Sequence, residues 1–122
     1  MGKSVLIVDD SASMRQMLKF TLQKAGFAVA EGSDGREGLK QLASARPDLI
    51  ITDLNMPNMD GLDFIRGVRA QPGFRATPIL MLTTESEDGK KQAGKAAGAT
   101  GWIVKPFQQD QLLAVVAKVL AP

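Results

Sequence analysis

A chain of 122 residues, 44% hydrophobic and 23% charged with 12 Gly, has room for one domain, 1–122, and the balance of an ordinary globular protein rather than a disordered or fibrous one. It holds no Cys and no His, which excludes a disulfide framework, a thiolate metal site and a Cys nucleophile, and removes the commonest general base and transition-metal ligand. The net charge is only +2, with basic residues scattered and no run of them. No nucleic-acid footprint follows from that pattern. The longest apolar run, LLAVVA at 112–117, is far short of the roughly 20 residues that span a bilayer. A soluble, cytoplasmic monomer is expected, with no membrane or nucleic-acid partner.

In chain order, VLIV at 5–8 is a first strand, ending at the adjacent acids Asp9 and Asp10. Met14, Met17, Leu18, Thr21 and Leu22 then recur at helical spacing until Gly26 stops the helix. FAVA at 27–30 is a second strand, and Asp34 with Glu37 makes a capping-box pattern for the next helix. LIIT at 49–52 is a third strand and ends at Asp53. Pro78 opens the fourth, ILML at 79–82, which runs into Thr83 and Thr84. The segment 88–101 is where a fourth helix belongs, yet it carries four glycines and three lysines. Each Gly inside a helix costs about 0.8–1.0 kcal/mol relative to Ala, so this helix should be the least stable. WIV at 102–104 is the fifth strand, ending at Lys105, and Leu112, Leu113, Val116, Val119 and Leu120 mark a last helix. All five apolar runs read as strands buried on both faces.

Strand alternating with helix five times implies right-handed crossovers and an open parallel sheet with helices on both faces. Ligands of such sheets bind beyond the carboxyl ends of the strands, where strand order reverses. The residues that follow the apolar runs are Asp9 and Asp10, Asp53, Thr83 with Thr84, and Lys105; the second strand offers only Glu31 and Gly32. Taken singly, each has a bland explanation. Asp9 or Ser11 can cap the helix starting near Ala12, Thr83 is an ordinary β-branched strand residue, and Lys105 is a solvated charge. Convergence of all of them on one edge is not explained that way. Three carboxylates without a nitrogen or sulfur ligand describe a Mg²⁺ site, with positions left for water and phosphate. Such a cation offsets the repulsion between Asp9 and Asp10 and polarises a phosphoryl group. A carboxylate can be the nucleophile in phosphoryl transfer, with an ammonium and a hydroxyl binding the phosphoryl oxygens.

On VDDS at 8–11, ITDLNMPNMDG at 51–61, MLTTE at 81–85 and WIVKPF at 102–107, the chain resembles the receiver domains of two-component signalling. Within them it resembles stand-alone chemotaxis response regulators of the CheY type, over essentially its whole length. The resemblance implies a (βα)5 flavodoxin-like fold, with a doubly wound five-stranded parallel sheet of strand order 2-1-3-4-5. It implies phosphorylation of Asp53. Mg²⁺ is to be held by the side chains of Asp10 and Asp53 and the backbone carbonyl of Asn55, with Asp9 acting through a bound water. Thr83 and Lys105 are to bind the phosphoryl group, and Lys105–Pro106 is to be a cis peptide. Trp102 stands where family members carry a switching Tyr or Phe that responds to Thr83; the bland alternative is a plain core aromatic. Asn55 and Glu85 occupy the positions that adjust dephosphorylation.

The expected activity is a regulator's, limited to its own phosphorylation and autodephosphorylation. Implied partners are a histidine kinase as phosphodonor, a phosphatase, and an output protein docking on the face of the fourth helix, fifth strand and fifth helix. That output is a flagellar motor switch protein, or a kinase for which this chain is a phosphate sink or relay. Three other readings stay in view. A Mg²⁺ phosphohydrolase with an aspartyl intermediate would carry D-x-D after the first strand, where Asp9 and Asp10 are adjacent. A flavin or nucleotide binder would need a phosphate-cradling glycine loop in place of that acidic one. A receiver kept only for docking has no need of Asp10, Asp53, Thr83 and Lys105 together.

Overall fold

The computed structural model describes residues 3–54, 56, 58–84 and 88–120, without the side chains of Asp88 and Lys90. Strands β1 (Ser4–Val8), β2 (Ala28–Gly32), β3 (Leu49–Asp53), β4 (Ile79–Thr84) and β5 (Gly101–Lys105) alternate with helices α1 (Ala12–Lys24), α2 (Gly35–Ala45), α3 (Gly61–Ala70), α4 (Asp88–Ala97) and α5 (Gln109–Leu120). A short 3-10 turn, Pro72–Phe74, follows α3. All four strand pairings are parallel, in the order β2-β1-β3-β4-β5. Fold and strand order are as the sequence implied.

Alternate side chains of the central strands enter two separate cores, because strand residues point to opposite faces with period two. Val5, Ile7, Leu49, Ile51, Leu80 and Leu82 pack with Leu18 and Leu22 of α1 and with Leu112 and Val116 of α5. Leu6, Val8, Ile50, Ile79 and Met81 pack on the other face, with Leu42 of α2 and Phe64, Ile65 and Val68 of α3. The expectation that every strand is buried on both faces holds for β1, β3 and β4. It fails for β2 and β5, the sheet edges, where Ala28 and Trp102 are exposed and most neighbours only half-buried. Each edge strand pairs with a single neighbour, so its outer flank cannot be covered as the centre is.

Local chemistry sets the helix ends. Ser11 caps α1, its Oγ accepting from Met14 N–H at 3.2 Å, and Gly26 follows its end at φ 101°. Asp34 caps α2 through Glu37 N–H at 2.9 Å. The return bond goes from Ser33 N–H to Glu37 Oε1 at 2.8 Å, one residue earlier than a capping box predicts. Helix α4 is shorter than the segment assigned to it. Gly98 adopts φ 119°, donates to Lys95 O at 3.1 Å, and lets Ala99 N–H reach Gly94 O at 2.9 Å. That is a left-handed stop of the Schellman type, after which Gly101 already belongs to β5.

Candidate active site

The chain order of the strands reverses between β1 and β3, and their register aligns Val8 with Thr52. Asp9, the next residue of one chain segment, is thereby set beside Asp53, the last residue of β3. Carboxylate oxygens of Asp9, Asp10 and Asp53 all lie within 4.8 Å of one another. At that separation and an effective dielectric of about 20, each like-charged pair costs about 3 kcal/mol. Asp9 and Asp53 are buried, Asp10 is exposed.

Asp9 is held at three points. Its N–H donates to Gly32 O of β2 at 3.1 Å, its carbonyl accepts from Arg15 Nη1 at 2.6 Å, and its Oδ1 accepts from Ser11 N–H at 2.8 Å. Oδ2 is buried and has no hydrogen-bond partner among the described residues. Burial pushes the Asp9 carboxyl above the usual carboxylate range, and the Asp53 and Asp10 charges add to it. The Ser11 N–H and the Lys105 ammonium act the other way. Desolvation disfavours the charged form unless an opposite charge arrives to support it.

Asp53 Oδ1 accepts from Leu54 N–H at 2.8 Å and from Lys105 Nζ at 3.2 Å. Lys105, at the end of β5, is thus brought across β4 to the acid cluster. Thr83, on β4 between them, is fully buried, and its Oγ1 also lacks a partner among the described residues. A buried hydroxyl without a bond costs about 1–3 kcal/mol. The first turn of α3 presses on the same loop: a Cβ at Gly61 would run into Asp53 O and sit 2.7 Å from Leu54 Cα. Only glycine lets α3 start there, with its N–H bonded to Leu54 O at 2.9 Å.

Lys105–Pro106 is a cis peptide. Trp102 is not a core aromatic: it is 41% exposed, with Lys91 Nζ 5.7 Å from its ring centroid. It stands two residues before Val104, the register partner of Thr83. Asn55 and Glu85 lie outside the described residues.

Two residues of the site's frame, Arg15 and Asn58, escaped the sequence reading. Arg15 bonds the Asp9 carbonyl and, at 3.3 Å, the Glu31 carboxylate, which also takes Lys19 at 3.1 Å. Asn58, at φ 67°, donates to Asp34 Oδ2 at 2.7 Å, tying the loop after β3 to the start of α2. An Arg one turn into the helix that follows an acidic strand end is the signal that could have marked the first. Asn followed by Met-Asp-Gly is a turn signal for the second.

As a donor set, three carboxylates suit a hard divalent cation of the Mg²⁺ type, and the unpartnered Asp9 Oδ2 fits a site completed by something that donates or is positively charged. Residues 5–117 match the family model described as response regulator receiver domain. The chain belongs to this family. It is 39% identical to the chemotaxis protein CheY of Pseudomonas aeruginosa, covering 94% of each chain. It is 37% identical to the alkaline phosphatase synthesis transcriptional regulatory protein PhoP of Bacillus subtilis, covering 98% of this chain and 49% of that one. The receiver thus spans about half the length of some curated relatives and nearly all of others. Among solved structures, the chemotaxis protein CheY4 of Vibrio cholerae is 53% identical and superposes with a TM-score of 0.93, covering 98% of this chain and 99% of that one. The receiver domain of the sensor histidine kinase PA1611 of Pseudomonas aeruginosa is 26% identical with a TM-score of 0.91, covering both chains entirely. That structure is described with a magnesium ion coordinated in the active site cleft. The chain is therefore a receiver domain of two-component signalling, a signalling switch rather than a conventional enzyme. No helix among the described residues is long and apolar enough to cross a membrane.

Proposed function

We propose that residues 1–122 form one receiver module that works as a phosphoacceptor switch, phosphorylated on Asp53 in a Mg²⁺-dependent reaction by a histidine kinase. The observation that carries this reading is the position of Asp53, whose carboxylate shares an acidic cluster with Asp9 and Asp10 and bonds Lys105 at 3.2 Å. A carboxylate oxygen of Asp53 attacks phosphorus, the P–N bond to the donor imidazole breaks, and the electron pair leaves with the imidazole. When bound, Mg²⁺ supplies charge neutralisation at the phosphoryl oxygens. Asp10 and Asp53 would hold it with their side chains, Asn55 with its backbone carbonyl and Asp9 through water; the magnesium ion in the active site cleft of a relative with the same fold supports a cation at this acidic cluster.

Lys105 stabilises charge on the transferred group from a fixed ammonium. The Thr83 hydroxyl, buried and without a partner among the described residues, donates to a phosphoryl oxygen once one is present. That gain draws Thr83 towards Asp53, and Trp102, on the neighbouring strand, responds to its displacement. Asn55 and Glu85 set the rate of hydrolysis, alone or with a phosphatase. The output surface is the face of α4, β5 and α5, where a cavity of about 780 Å³ is lined by residues including Thr84, Trp102, Phe107 and Val115. Similarity to two chemotaxis proteins favours a chemotactic role in the cytoplasm and a flagellar motor switch protein as partner.

Incubation with Mg²⁺ and acetyl phosphate, followed by mass spectrometry, tests the core of this reading. A hydroxylamine-sensitive phosphoryl adduct at Asp53, absent without Mg²⁺ and absent in Asp53→Asn, is expected. No adduct at Asp53 with either acetyl phosphate or a phosphorylated kinase would refute it, and multiple turnover of an organic phosphate would favour a hydrolase.

A further inference from the structure

The Arg15 side chain joins the acidic loop to Glu31 of β2. Its Nη1 donates to Asp9 O at 2.6 Å and its Nε lies 3.3 Å from Glu31 Oε1, with only a fifth of the side chain exposed. Glu31 sits on β2 next to Gly32, whose carbonyl accepts the Asp9 N–H. Lys19 shares Glu31 through its other oxygen at 3.1 Å. Both ends of the Asp9 residue, N–H and C=O, are therefore fixed from β2, the first directly and the second through Glu31 and Arg15. What remains of Asp9 is a carboxylate with one oxygen on Ser11 N–H and the other buried without a partner among the described residues.

We propose that Arg15 is a positioning residue of the acidic site: oriented by Glu31, it holds the Asp9 backbone so that the Asp9 carboxylate stands ready, before any ligand arrives, to complete the Mg²⁺ site. This rests on reading the acid cluster as that site. A cation beside three carboxylates should by charge alone weaken cation binding, so its presence calls for a second effect that acts in the other direction. The guanidinium supplies one. Its planar fork engages a carbonyl and a carboxylate at once, with little freedom left to either. Outer partners that orient ligands of a metal commonly carry tenfold to hundredfold of its affinity.

The two effects make opposite predictions, which calorimetric titration of the purified chain with MgCl₂ separates. Arg15→Met removes a positive charge; on electrostatics alone it binds Mg²⁺ more tightly than wild type. Positioning predicts about tenfold weaker binding. In the double variant Arg15→Met/Glu31→Gln the charge changes cancel, so electrostatics predicts nearly wild-type affinity, while positioning predicts an affinity as weak as that of Arg15→Met. A second readout is the acetyl phosphate reaction: the Mg²⁺ concentration for half-maximal rate should rise about tenfold, with the rate at saturating Mg²⁺ within twofold of wild type. Should Arg15→Met fail to fold, Arg15→Lys keeps the charge and loses the fork; positioning predicts binding several-fold weaker, electrostatics none. Mg²⁺ binding as tight as wild type in the Met and double variants, or in the Lys variant where that is the one that folds, would overturn the assignment. Absence of Mg²⁺ binding in the wild type would instead overturn the metal site itself.

Discussion

Arg69→Met should destabilise the fold by about 2 kcal/mol, although Arg69 touches no carboxylate among the described residues. Its guanidinium donates to four sites on three carbonyls: Nε and Nη2 to Gly98 O at 3.0 and 2.8 Å, and Nη1 to Phe74 O at 2.7 Å and Thr77 O at 2.6 Å. These carbonyls belong to the stop of α4 and to the turn between α3 and β4. Bonds from a charged donor are worth about 1.5–3 kcal/mol each when both partners are desolvated. Here the site is half-buried and burial holds the Arg69 guanidinium below its ordinary pKa, a sign that its own desolvation subtracts from the gain. Water can reach part of the carbonyls after truncation, and Met keeps the apolar stem, which brings the net to about 2 kcal/mol. Urea denaturation measures it; for a domain of this size about 1 kcal/mol corresponds to about 4 °C in melting temperature, so a drop of about 8 °C should accompany it. A loss below about 0.5 kcal/mol would show that the four bonds merely replace water. Amide exchange in 94–99 should rise with the mutation while exchange in β1 and β3 follows only the global stability.

Thr83→Val, in contrast, should raise resting stability by about 1 kcal/mol in urea denaturation, because it removes a buried hydroxyl that has no partner, and should uncouple Asp53 phosphorylation from any change in Trp102 fluorescence. Gly61→Ala should cost about 3 kcal/mol by the same measurement, since the new Cβ meets the backbone of Asp53 and Leu54, which cannot turn aside as a flexible side chain would. Gly89→Ala meets nothing and should stabilise by up to about 0.8 kcal/mol through helix propensity, which a melting curve resolves. Asp34 and Glu37 are held below the usual carboxylate range, Asp34 chiefly by the Glu37 N–H and the Asn58 amide, Glu37 chiefly by Ser33. Depressed values mean stability that is present above the unfolded-state pKa near 4 and lost as pH falls through the folded value. Asp34→Asn should therefore flatten the acid limb of the stability curve below about pH 4, as seen by denaturation at pH 3 and 7.

The acids, the threonine and the lysine were legible because each follows a short apolar run, and a parallel sheet delivers every strand's end to one edge. Arg15, Asn58 and Arg69 were not legible. Their partners lie up to 29 residues away, on backbone carbonyls or another loop, so a local signal can mark such a residue without saying which atom it will bond. Trp102, for which a plain core aromatic was the bland alternative to the switch position, is exposed for a related reason. Aromatic size argues for burial, but β5 is an edge strand, and the helix beside it is built of small residues: Gly94 packs so closely on Met81 that a Cβ would strike its Sδ. The glycines of the fourth helix, read together as a weakness, in fact do separate things. Gly94 makes room, Gly98 ends the helix at positive φ, and Gly89 faces open space.

Two buried oxygens without partners among the described residues, Asp9 Oδ2 and Thr83 Oγ1, lie on either side of Asp53 along the sheet, one on the segment after β1 and one on β4. Each costs the resting fold about 1–3 kcal/mol, and repulsion among the three acids adds to that cost. A fold with two packed cores and fully buried central strands tolerates such a deficit where a smaller one would not. The same groups are the ones a cation and a phosphoryl group would satisfy, so the free energy withheld from folding is recovered on binding. On the proposed reading, a ligand that brings positive charge to the Asp9 side and an acceptor oxygen to the Thr83 side recovers both contributions. On that reading, a preference for a cation-bound phosphoryl group follows from which polar atoms the sheet leaves without partners, while Arg15 holds the Asp9 backbone and Gly61 lets α3 pack against Asp53 and Leu54.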